Sequence, residues 1–94
     1  MDKHEVVRRA ILELGYRERE RIAGASMFVN KNWEPAIAID STMFTHGRKP
    51  VRVMAKDRAF GESERIKFSQ SIGVMGLALK FEGRNDGVSL YEVI

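Results

Sequence analysis

The chain has 94 residues, 44% hydrophobic and 31% charged, which makes one globular domain with a modest core and excludes a mostly disordered chain. It contains no cysteine, so disulfides, thiolate catalysis and cysteine-type zinc sites fall away together. The net charge of +3 is too small to imply nucleic acid on its own, but residues 48–67 hold seven basic against three acidic side chains, more than the whole net charge.

The first predicted element is an amphipathic helix over residues 3–14. Val7, Ala10, Ile11 and Leu14 recur at helical spacing, Asp2 suits the N-cap, and Gly15 suits the residue that ends the helix. His4 falls in its first turn and is expected in solvent. Residues 17–21 read Arg-Glu-Arg-Glu-Arg. On a strand, that alternation would put three arginines on one face and two glutamates on the other. With Gly15 behind and Gly24 ahead, a solvated extended connector is the simpler expectation.

A hairpin follows. Residues 26–30 and 36–40 flank a polar five-residue loop, Lys31 to Pro35, that carries Trp33. Ile37 and Ile39 are expected to face the core, Ala36 and Ala38 the other side. A turn over 45–50 leads into 51–56, where Val51, Val53 and Ala55 alternate with Arg52, Met54 and Lys56, as in a half-exposed basic strand. The second helix is predicted over about 63–75, with Ser63 as its cap and Phe68 and Ile72 on its apolar face. Residues 77–83 and 87–93 then form a hairpin around Arg84-Asn85-Asp86, where Asp86-Gly87 is the turn signal. The order α-β-β-β-α-β-β implies an α+β domain, two helices packed on one face of an antiparallel sheet, spanning residues 1–94.

No apolar run approaches the length of a membrane span, and the first residues lack the apolar stretch of a signal peptide. A cytoplasmic protein without a membrane partner is therefore expected. No catalytic set is legible. A hydrolytic serine needs a base beside it, and the two histidines, His4 and His46, stand apart with no clustered carboxylates to build a metal site. Asp40 and Lys56 end strands, but the second acid of a metal-dependent nuclease is missing between them. Phosphate loops of the Gly-x-Gly-x-x-Gly and Gly-x-x-x-x-Gly-Lys-Ser/Thr types are absent. No cofactor is expected. A metal-independent ribonuclease using His46 and Arg48 is the one enzymatic alternative.

Two binding readings remain. In the leading one, Arg48, Lys49, Arg52, Lys56, Arg58, Arg65 and Lys67 form a basic strip that contacts the phosphates of RNA or DNA. The stretch Phe60-Gly61, Arg65-Ile66-Lys67-Phe68, Ile72-Gly73 and Gly76-Leu77 is locally similar to double-stranded-RNA-binding domains and to small RNA-cleaving toxins of related layout. Such a resemblance implies phosphate and sugar contacts with little sequence readout. It departs in lacking a cluster of lysines and alanines in the helix and in adding a C-terminal hairpin. The other reading is a protein-binding inhibitor or adaptor of the kind that phages and mobile elements encode. Its surface would use Trp33, Met54 and Tyr91, with Tyr91 and Val93 on an edge strand. Trp33 folded back as a lid on the core, and Met27, Met43, Met54 and Met75 as core filler, are the plainer alternatives. A small anionic ligand is a third possibility. Scattered basic residues beside an exposed apolar patch would favour the protein partner.

Overall fold

The computed structural model describes residues 2–22 and 24–94. Helix α1 (Lys3–Glu13) starts where Asp2 Oδ1 accepts the Glu5 N–H at 2.8 Å and buries Val6, Val7, Ala10 and Ile11. Gly15, at φ +97°, turns the chain away beyond its end. The sheet follows in strands β1 (Arg17–Ile22), β2 (Ala25–Val29), β3 (Pro35–Asp40) and β4 (Val51–Lys56); helix α2 (Glu62–Gly73) then precedes β5 (Leu79–Asn85) and β6 (Val88–Val93). All neighbouring strands are antiparallel, in the spatial order β1-β2-β3-β4-β6-β5. The class is the expected α+β, with one strand more than the sequence suggested: the charged connector over 17–21 is β1.

Both helices lie on one face of the sheet. Their buried side chains meet Phe28, Ile37, Ile39, Val53, Ala55 and Val93 in a single core. Alternation within each strand gives that core one side of the sheet and leaves the opposite side uncovered by either helix, with Thr45 and Arg48 of the connector over 41–50 reaching Arg52 and Glu92 at one end of it. Ala36 departs from its expected outward position. A register shift beside the Val29–Pro35 pair sets it among the buried residues with Ile37.

The second helix starts one residue earlier than predicted and uses Gly61 as N-cap with no side-chain hydrogen bond, so Ser63 does not cap it. The final hairpin turns on Asp86 and Gly87 alone. Both have positive φ, +51° and +73°, as a two-residue type I′ turn requires, and this lengthens β5 past Arg84 to Asn85.

Strand β1 shows why a charged run can be a strand. A bulge between Glu18 and Glu20 breaks the alternation, so Glu18 lies opposite Phe28 and Arg21 opposite Ser26, both on the helix side. Glu18 accepts from Arg8 Nε and Nη2 on α1 at 2.9–3.1 Å, tying edge strand to helix. The Arg8 hydrogen bond, aided by Ser26 and opposed by burial, holds the Glu18 carboxyl below its ordinary range. A depressed carboxyl contributes stability above its unfolded value of about 4.3, and this is lost as pH falls through the folded-state value. Urea denaturation of Arg8→Met is therefore expected to show lower stability than wild type at pH 6 and a shallower acid decline. The gap between the two proteins closes toward pH 3. A gap that persists undiminished in acid would assign Arg8 a packing role instead.

Candidate interaction surface

The seven basic residues of 48–67 do not form one strip. Arg48, in the β3–β4 connector, donates to Glu92 Oε2 at 2.9 Å. Lys49 sits over the Phe44 ring, 5.1 Å from its centroid. Arg52 is directed to the uncovered sheet face but is only 18% exposed: it lies 3.5 Å from Glu82 and donates to Thr45 Oγ1 at 3.0 Å. Lys56 ends β4 on that same face, Arg58 follows in the turn, and Arg65 and Lys67 belong to α2 on the opposite side of the sheet. Arg52 takes the outward face that the alternation implied but is held there by its partners, and the expectation of a common strip is overturned by the sheet that separates the two groups.

The aromatic candidates are also redistributed. Trp33 is no lid: it is 62% exposed at positive φ in the β2–β3 turn, with the Arg17 guanidinium 5.1 Å from its ring. Tyr91 is not on an edge strand, because β6 inserts between β4 and β5, and its ring packs edge-on against Phe81 on the helix side at 5.6 Å. Met54 is half-buried on the uncovered face, as its alternation with Val53 and Ala55 implied. These four methionines, Met27, Met43, Met54 and Met75, are not core filler. Met27 joins Met54 on the uncovered face, while Met43 and Met75 are exposed.

Two polar clusters lie elsewhere on the molecule. A cleft of about 320 Å³ lies beside the start of α2, lined by Phe60, Glu62, Arg65, Asp57, Arg84 and Tyr91. Its two cations are balanced by two anions. Arg84 is already engaged, with Nε 3.0 Å from Asp57 and 3.2 Å from Ser89 Oγ, while Ser89 donates to Asp57 at 2.8 Å. It is thus an internally neutralised corner rather than an anion trap. At the other end of the molecule His4 is half-buried, not solvated. Its Nδ1 lies 3.0 Å from Ser41 Oγ and its Nε2 3.4 Å from Ser26 Oγ. Ser41 gives its own proton to the Gly24 carbonyl at 3.0 Å, so it accepts from His4 and is not activated by it. The pair ties α1 to the sheet. Among the described residues there is no group of three or more His, Asp or Glu side chains placed to hold a metal ion, and no helix long and apolar enough to cross a membrane.

The uncovered face carries a different pattern. Strand registers align one row straight across the sheet: Glu20, Met27, Ala38, Met54, Leu90 and Gly83. Four apolar side chains at its centre have no helix over them. Shallow apolar depressions flank the methionines, one reaching Ala25 and Ile22, the other Pro35 and Val88. The adjoining row reads Ile22, Ala25, Asp40, Arg52, Glu92 and Lys80, with charges of alternating sign over its last four positions. Thr42 Oγ1 and N–H donate to Asp40 at 2.6 and 2.8 Å and, with help from Arg52, hold its carboxyl below the ordinary range. Met27, Ala38 and Leu90 were missed as functional candidates. Their signal was present: strands whose second face is apolar as well as the first. A single sheet face in water normally carries polar residues instead. No protein-family model matches this chain, and no curated protein and no solved structure matches it significantly.

Proposed function

We propose that this chain is a non-catalytic protein-binding module that engages its partner through the uncovered face of its sheet. The row Met27, Ala38, Met54 and Leu90 carries this reading, since apolar side chains on a helix-free face gain most by excluding water against another protein. Methionine suits such a surface because its flexible thioether adapts to the partner's shape. Nucleic-acid binding through residues 48–67 has less support. Three of those seven cations already have intramolecular partners, and the rest lie on both sides of the sheet.

A photoreactive residue placed at Met54, and separately at Lys67, tests the reading in the cell. Position 54 is expected to form protein adducts and position 67 none. Labelled RNA and DNA titrated at about 50 and 200 mM salt are expected to show no steep salt-dependent binding. Nucleic-acid adducts at Lys67, with affinity that falls sharply with salt, would overturn the protein reading and restore the phosphate one.

A further inference from the structure

We infer that the occupant of the uncovered face is a second copy of the same chain, stacked sheet to sheet about a two-fold axis that runs parallel to the strands between β3 and β4. This rests on the protein-binding reading and names its partner. Three observations converge on that axis.

The first is the position of the sheet's centre. In the order β1-β2-β3-β4-β6-β5 the midpoint falls between β3 and β4, so this axis lays all six strands of one copy over the six of the other. At about 4.8 Å per strand and 3.3 Å per residue, the rows span roughly 29 by 17 Å. That is at most about 500 Å² from each copy and about 1,000 Å² in total, since Arg48 and Thr45 of the β3–β4 connector already reach Glu92 and Arg52 at one end of the face, and it is the size of a weak interface. A weak, concentration-dependent dimer is the expected consequence.

The second is charge. An axis midway between β3 and β4 sets Asp40 of each copy against Arg52 of the other, whose guanidinium is 18% exposed beside Glu82 and Thr45, and extends the alternation already present across these strands. Moving the axis onto β4 would oppose Arg52 to its own copy, and moving it onto β3 would oppose Asp40 to itself. Like charges face to face cost affinity and suppress wrong registers. The third is size. The same axis sets Met54 against Ala38 of the other copy, a large side chain over a small one, and sets Met27 against Leu90. Edge pairing is disfavoured as an alternative. Both edge strands are bulged, β1 at Glu18/Glu20 and β5 at Phe81/Gly83, and both carry charged residues that block strand addition.

Sedimentation equilibrium from about 1 to 500 µM reads the association. Wild type is expected to dimerise, and Met54→Asp to weaken the dimer by at least about thirtyfold with unchanged circular dichroism. Asp40→Arg and Arg52→Asp are each expected to be monomeric alone and to associate when mixed, because mixing restores opposite charges at both contacts. Should either charge variant fail to fold, the orientation is read by a spin label on Glu20→Cys, which needs no background cysteines removed. This axis holds the two labels about 25 Å apart, whereas an axis across the strands would bring them to about 10 Å. A wild-type chain that stays monomeric to 500 µM overturns the proposal. If position 54 still forms protein adducts in the cell, the protein-binding reading survives it; nucleic-acid adducts and salt-steep binding would overturn both.

Discussion

Replacing Phe68 with alanine is expected to lower the stability of this domain by about 3–5 kcal/mol, the usual cost of emptying a buried aromatic site. A domain of this size holds only about 5–15 kcal/mol in total, so the variant should sit near its folding limit. The size of the effect follows from how α2 is held. Only Phe68 and Ile72 of its twelve residues are buried hydrophobics, so two side chains anchor the whole helix. Phe68 meets Phe60 edge-on at 5.9 Å, and Phe60 in turn lies 5.4 Å from Tyr16, whose hydroxyl donates to the Ala59 carbonyl at 3.2 Å. Truncation therefore removes the end of an aromatic chain that joins α2, the turn before it and the loop after α1. Urea denaturation at neutral pH measures it, with Ile66→Ala as control. Ile66 is exposed, and its loss should stay within about 0.5 kcal/mol. A Phe68→Ala cost below about 1.5 kcal/mol would mean that α2 is held by something other than its two anchors.

The elements most legible in the sequence were those whose signals are local. Helix α1 was marked by the spacing of Val7, Ala10 and Ile11 and by Asp2 and Gly15 at its ends. The last hairpin was marked by Asp86-Gly87, and the two faces of β4 by strict alternation. Strand β1 was not legible, because its alternating charges describe two faces that the bulge after Glu18 rearranges. The bulge makes sense only with Arg8 on α1 present to receive Glu18. The basic stretch misled for the same reason. Its local excess of charge was real, but the acidic partners Glu82 and Glu92 lie in the last two strands and arrive beside Arg52 and Arg48 only through the sheet. The uncovered row was half-legible. Ala38 and Met54 each read correctly as outward, yet recognising a continuous apolar surface needed the order β4-β6, which brings Leu90 beside Met54. That insertion also removed Tyr91 from the edge it was expected to occupy.

Arg48 separates the structural from the phosphate-binding account of the basic residues, and Arg48→Ala is expected to destabilise the domain by about 1–3 kcal/mol. Glu92 sits in the interior strand β6 with a side chain only 7% exposed, and the Arg48 guanidinium, itself 63% exposed, closes over it. Removing the cation leaves a nearly buried carboxylate short of its hydrogen-bonded partner, which costs more than the pair itself contributes. The exposure of Arg48 and the nearness of Arg52 across the β4–β6 ladder reduce that cost below the value for a fully enclosed pair. A double-mutant cycle with Glu92→Gln isolates the contact: the combined variant should lose less than the sum of the two single changes, since neither partner is then left charged and alone. Lys67→Ala, on the solvent side of α2, should change stability by less than about 0.5 kcal/mol. An Arg48→Ala protein as stable as wild type but impaired in nucleic-acid binding would return this arginine to the phosphate surface. A loss of stability that vanishes in the Glu92→Gln background assigns it to the sheet.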